Sequence, residues 1–342
     1  MGMKANKETV RRGMTAVAAL LIAVANAAAQ GPNDSGTYYE AADGTSGRGL
    51  KTAMAAIIND HTVLSYGNLW ECFYTTDRRD DGMVWDMYSN ATNYTMGGPE
   101  QGANYKKEGD SYNREHPMPK SWFDDARPMY TDLMHIVPTD GYVNNRRGNY
   151  PFGETEGETY QSEGGFSKLG RSTTAGYSGT VFEPADEYKG DFARIYFYMV
   201  TCYEDVVSTW SSDMLDGTAY PAFATWALDM LLRWAEADPV SQKETDRNEA
   251  VWQLQHNRNP FVDYPGLEQY VWGGKLTEAF SYDNYGGSST SGIVTAVGSP
   301  SGFVTVYTTT GVAVRSGVSR AEALHGLPKG IYIIGAKKYA VR

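Results

Sequence analysis

The chain has 342 residues, 41% of them hydrophobic, with 25 Tyr, 11 Phe and 8 Trp; that is enough for one large domain or two smaller ones with a core that needs no disulfide. Its formal net charge is −11, with +3 on residues 1–29 and +5 on residues 286–342, so residues 30–285 carry −19. This argues against a polyanion binder that relies on a general excess of Lys and Arg. Cys72 and Cys202 are the only cysteines, which excludes a standard structural zinc site and leaves open whether the two pair or stay as buried small hydrophobes.

Residues 1–29 read as a signal peptide: Lys4, Lys7, Arg11 and Arg12 form a basic start, Met14 to Ala25 an apolar run, and Ala27-Ala28-Ala29 a small-residue cleavage site. The run is too short and too rich in Ala for a membrane span, an uncleaved anchor being the alternative, and no later segment is long and apolar enough to cross a bilayer. The main domain is expected over 30–280. Residues 49–66 are expected to form an amphipathic helix, with Leu50, Met54, Ile57, Ile58 and Val63 on one stripe. Residues 69–74 are a further apolar segment, 75–82 a loop, and 84–88 alternate like a strand. Residues 112–119 are extended, because Pro117 and Pro119 forbid a helix there. Thr139 or Asp140 then caps a helix to about Arg147, ended by Gly148-Asn149 and Pro151. Helices are expected at 190–207, with Phe192, Tyr196, Met199 and Tyr203 on one stripe, and at 222–236, read as core. Residues 281–292, rich in Gly and Ser, read as a linker. Short β-rich runs at 293–297, 303–308, 312–315, 331–334 and 338–341 form a small antiparallel all-β module over 293–342. The fold class is α+β.

Chemistry concentrates in residues 114–149. Glu115 beside His116, with Asn144 on the short helix, offers oxygen ligands for a hard divalent cation and a base that titrates near neutrality. Such a set can activate water against a phosphodiester, with His116 as general base and Glu115 and Asn144 holding Mg²⁺ (Mn²⁺ and Ca²⁺ as alternatives). A flat strand would send Glu115 and His116 to opposite faces, so a twist or bulge near Pro117 is needed to bring both to one pocket. Arg147, three residues after Asn144 on the same helix side, is a candidate phosphate clamp, which Asn149 would position. A Glu-His pair by itself is more often a surface salt bridge than a site. His135 reads as a packed histidine or a neighbour of the site, and His256 as a groove or loop residue; His61 and His325 lack chemical context.

The string REHPMPKSWF, followed by YTDLMHIVPTDGYVNNRRGNYPFGE, resembles the bacterial endonuclease I family. The similarity extends from about Asn68 to Gly273 and includes LWECFYTTDRRDDGMVWDMYS, KGDFARIYFYM and WAEADPVSQKETDRN. It implies a ββα-metal nuclease core with surrounding helices, in which His116 is the general base and Glu115 and Asn144 are metal ligands. It further implies Mg²⁺-dependent cleavage of DNA, often RNA too, with little sequence preference and with 5′-phosphate products. The loop between His116 and Pro138 is short for the family, so Arg127 and Arg147 both remain candidates for the phosphate clamp. The strings VTVYTTTGVAV and LPKGIYIIGAKKYAVR resemble the sorting domain of the Bacteroidetes type 9 secretion system. That implies a protein that crosses the periplasm and is secreted or held at the cell surface. The expectation is a monomeric, secreted endonuclease acting on DNA and possibly RNA. The competing readings are a non-catalytic surface module and a metal phosphodiesterase for small substrates.

Overall fold

The computed structural model describes residues 30–285, 303–308, 313–319, 323–334 and 337–341. The expected signal peptide, the 293–297 run and residues 286–292 of the expected linker therefore lie outside the described residues. Small antiparallel sheets and separate helices make an α+β fold.

Helix α1 (Gly47–Ile58) buries Leu50, Met54 and Ile58. It stops at Asn59, short of the expected residue 66, and Val63 is left 52% exposed. Asp60-His61-Thr62-Val63 follows Asn59 with polar and β-branched residues that favour leaving a helix. Helix α2 (Leu69–Thr76) takes up the apolar 69–74 segment. The expected strand at 84–88 is not formed; isolated bridges join Arg78 to Val84 and Met83 to Thr95. Asp86 Oδ1 accepts the backbone N–H of Tyr88 and of Ser89, which removes the donors that a ladder would use.

Strand β1 (Tyr112–Glu115) pairs antiparallel with β2 (Val137–Asp140), with Tyr112 opposite Asp140 and Glu115 opposite Val137. Helix α3 (Gly141–Arg147) follows β2 without a loop. Asp140 caps it, its side chain accepting from Val143 N, and Gly148 ends it at φ +57°, where a Cβ is disfavoured. Gly141 permits the tight start: a Cβ there would lie 2.6 Å from the Tyr105 ring. These three elements are the expected ββα unit.

A second sheet consists of β3 (Tyr160–Gln161), β4 (Lys168–Arg171) and β5 (Thr180–Glu183), in that order. Helix α4 (Lys189–Cys202) is buried on every side from Gly190 on, so its aromatics form no single stripe. Each fully buried large side chain there contributes about 1.5–3 kcal/mol. It packs on α1 and on α5 (Thr225–Ala237), which is amphipathic rather than wholly core. Helix α6 (Gln242–Gln255) starts in a capping box of Ser241 and Glu244 and packs on α2. Short helices α7 (Pro260–Asp263) and α8 (Leu267–Val271) close the domain. Tyr282 is buried and Tyr285 packs on Tyr264 and Phe280, so the first residues of the expected linker belong to the domain. Cys72 and Cys202 are both buried free thiols.

The C-terminal residues form a four-stranded antiparallel sheet of order β7-β6-β8-β9, from β6 (Phe303–Thr308), β7 (Ala313–Ser319), β8 (Gly330–Ile334) and β9 (Lys337–Val341).

Candidate active site

Alternation along β1 divides its chemistry between two faces. Asn113 and Glu115 face α3: Asn144 Nδ2 donates to Asn113 Oδ1 at 2.7 Å, and Arg147 Nη1 donates to Glu115 Oε1 at 2.7 Å. Arg114 faces the other way, its guanidinium 3.5 Å from the centre of the Tyr66 ring. His116, just beyond the strand, lies on the Arg114 side, near-parallel to Tyr130 at 5.3 Å and to Tyr66 at 6.1 Å between ring centres.

Glu115 is buried, and burial raises its pKa above the usual carboxylate value while Arg147 and the Tyr88 hydroxyl pull it back. Its Oε1 accepts from both Tyr88 OH and Arg147, each at 2.7 Å. Among the described residues no side chain donates to its Oε2, and the His116 backbone N–H adds a hydrogen bond to the carboxylate. Asn144 is half-buried on α3. Its nitrogen is committed to Asn113, so its Oδ1 remains available. A carboxylate oxygen and an amide oxygen, neither accepting from a side chain, match the preference of a hard cation for oxygen donors.

His116 is 6% exposed. Its Nε2 lies 3.1 Å from the Tyr130 carbonyl oxygen. A carbonyl only accepts, so Nε2 carries the hydrogen and Nδ1 the lone pair. Burial, then the charges of His135, Lys120 and Arg114, push its pKa down to about 3 against the bond to Tyr130. The imidazole is thus neutral at physiological pH and able to take a proton through Nδ1.

The two candidate clamps are placed differently. Arg147 turns inward, with its side chain 1% exposed. It donates to Glu115, to the His116 carbonyl at 3.0 Å and to the Pro117 carbonyl. The helix side that carries Asn144 and Arg147 faces β1, and Arg147 lies under the strand, not beside the solvent. Its placement does not match a clamp that meets phosphate directly. Arg127 is exposed, hydrogen-bonded to Thr131 Oγ1 at 3.4 Å. Asn149 is exposed and Arg147 is held without it.

Among the other histidines, His135 is buried, edge-on to His116 at 5.6 Å, and donates from Nε2 to the Met129 carbonyl; burial lowers its pKa to about 4. His256 is the C-cap of α6 and bonds Thr62 Oγ1, which makes it a loop anchor. His61, Asp132 and Cys202 offer ligand atoms within 4.8 Å of one another. Asp132 already accepts from Tyr198, Tyr203, Gln255 and Met134 N, which fills its four lone-pair sites. That group is a hydrogen-bond hub.

Sequence patterning missed Asn113, Tyr88 and Tyr130. Asn113 has a local signal, two residues before Glu115 and so on the same strand face. Tyr88 and Tyr130 reach the site through long-range packing, and nothing local marks them.

The matches to known proteins make this chain a nuclease, a hydrolase whose substrate is nucleic acid. The chain belongs to the Endonuclease I family, whose model matches residues 46–266. It is 36% identical over 247 residues to an extracellular ribonuclease of Bacillus amyloliquefaciens, covering 70% of this chain and 79% of that protein. It is 34% identical over 245 residues to an extracellular ribonuclease of Bacillus subtilis (strain 168), with the same coverage, 70% and 79%. Similarity to Endonuclease-1 of Buchnera aphidicola subsp. Baizongia pistaciae is 25% over 132 residues, 39% of this chain and 46% of that protein.

Proposed function

We propose that this chain is a secreted, divalent-metal-dependent endonuclease that cuts RNA and DNA strands with little sequence preference. One observation carries the reading. Glu115 Oε2 and Asn144 Oδ1 sit on adjacent elements without a side-chain donor, and the neutral His116 follows Glu115 on the other face of the strand. These two oxygens would hold Mg²⁺, with Mn²⁺ or Ca²⁺ as substitutes of the same oxygen-seeking class. When bound, the ion supplies positive charge that offsets the charge developing on the phosphoryl group and the leaving 3′-oxygen.

The chain's own residues do the rest. His116 Nδ1 removes the proton from the attacking water, and the Tyr130 carbonyl holds the ring in the tautomer that makes this possible. Tyr88 and Arg147 fix the Glu115 carboxylate, so Arg147 is a positioning residue. Arg127 adds exposed positive charge on the His116 side, 5.6 Å from the Tyr130 ring centre. RNA enters the reading through the two ribonuclease relatives, and secretion through their extracellular description and the basic-apolar start of the chain. Among the described residues no helix is long and apolar enough to cross a membrane. The C-terminal four-stranded sheet suits a sorting module for export machinery.

The test is digestion of ribosomal RNA and supercoiled plasmid by the purified full chain. Degradation with Mg²⁺, arrest with EDTA and loss of nearly all activity in folded His116→Ala are expected. Full activity in that variant would refute the mechanism. Cleavage of a small chromogenic diester alone would favour the small-substrate phosphodiesterase, and no cleavage of either would favour the non-catalytic module.

A further inference from the structure

Buried arginines in this domain are matched with acids: Arg147 with Glu115, Arg194 with Glu244, Arg247 with Asp77, Arg258 with Asp263. Arg114 departs from that pattern. It is partly buried, with its guanidinium 3.5 Å from the Tyr66 ring centre and 4.4 Å from that of Trp70. No carboxylate lies within ion-pair distance among the described residues. Its hydrogen bond is from Nη1 to the Tyr66 carbonyl. An unmatched, half-desolvated guanidinium is costly in a folded protein unless an anion completes it.

Position identifies the anion. Arg114 is two residues before His116 on the same side of the chain, a separation of about 6.6 Å along an extended strand, comparable to one nucleotide step of an extended single strand. The two aromatic rings fix the direction of the guanidinium plane, as suits bidentate phosphate recognition. On a domain carrying −19, an uncompensated cation at this point is also the place where a polyanion gains most.

Resting on the nuclease reading above, we infer that Arg114 binds the phosphate one nucleotide away from the scissile phosphate and so anchors the substrate strand across His116. Arg114 acts on strand binding, and the reacting atoms are left to Glu115, His116 and Asn144.

Two measurements test this. The first is binding of a single-stranded oligonucleotide to His116→Ala protein in EDTA, followed by fluorescence anisotropy over a salt series, with and without Arg114→Gln. The added substitution should weaken binding about tenfold and lower the slope of log affinity against log salt by about 0.7. Arg114→Lys should keep the wild-type slope, because it keeps the charge. The second replaces single linkages of a cleavable oligonucleotide with neutral methylphosphonates. For the wild type, KM should rise at one linkage next to the cut, and Arg114→Gln should be indifferent to that replacement. An unchanged slope with Arg114→Gln, or a wild type indifferent to every flanking replacement, would overturn the inference. A wild type that binds the strand with the expected slope yet never cuts it would instead count against the nuclease reading.

Discussion

Arg147→Met separates a positioning role from a phosphate-clamp role. The guanidinium is sealed and makes three bonds, to Glu115 Oε1 at 2.7 Å, to the His116 carbonyl at 3.0 Å and to the Pro117 carbonyl. Methionine fills a similar volume but leaves a buried carboxylate with Tyr88 as its remaining side-chain partner. Breaking one half of a buried ion pair costs about 3–5 kcal/mol. For a domain of this size that corresponds to a fall in Tm of roughly 6–20 °C. Burial already raises the pKa of Glu115, and Arg147 opposes the rise, so its removal pushes that pKa further up. At a fixed pH a smaller fraction of Glu115 is then ionised, and more metal is needed to reach full activity. Differential scanning calorimetry and a Mg²⁺ titration of activity give the two readouts. A variant with unchanged Tm and unchanged metal requirement, but a higher KM and a shallower salt dependence, would show that Arg147 faces the substrate and would refute the inward role.

Asn113→Ala removes the acceptor that orients Asn144, and the Mg²⁺ concentration for half-maximal activity should rise about 10–100-fold; an unchanged value would mean that Asn144 is oriented otherwise or is no ligand. Asp86 is buried, and its pKa is pushed up to about 7 by burial and by the nearby charge of Asp140. Because this folded-state value lies above the unfolded carboxylate value of about 3.9, its contribution to stability is lost as pH rises from about 4 to 7, by at most ~4 kcal/mol. Asp86→Asn keeps an oxygen for Tyr88 N and Ser89 N and cannot ionise, so it should gain on the wild type between pH 5 and pH 8 in thermal melts. A wild type that gains on the variant over that range would reverse the assignment.

What could be read from sequence was local chemistry, and what could not was orientation. Asp140 as a helix cap follows from one side chain and its own next turn, and the structure has that bond. The fate of Arg147 depends on how α3 rolls against β1, which no residue spacing within the helix specifies. Asp86 defeated the alternation at 84–88 by capturing backbone donors. Helix α6 escaped notice for a different reason. It buries Glu244, Arg247 and Asn248 in place of an apolar stripe, so periodic hydrophobicity says little, although Ser241 and Glu244 are a legible capping box. Val63 fits the helical spacing of α1 and is nonetheless exposed, because spacing alone cannot show that the helix has already ended at Asn59.

The two faces of β1 explain how so acidic a domain can work on a polyanion. Under the proposed mechanism, the oxygens of Glu115 and Asn144 on the α3 face repel phosphate and attract a cation. On the opposite face Arg114 and Arg127 lie beside the Tyr66 and Tyr130 rings without an acid partner among the described residues, next to a histidine that burial keeps neutral. The proposed mechanism places the phosphate at the end of the strand, between the α3 face and the side that carries His116 and the arginines. The flat-strand geometry that sends Glu115 and His116 apart is therefore compatible with catalysis. Separation keeps the carboxylate from stabilising a protonated histidine, so the base stays free to accept its proton from water.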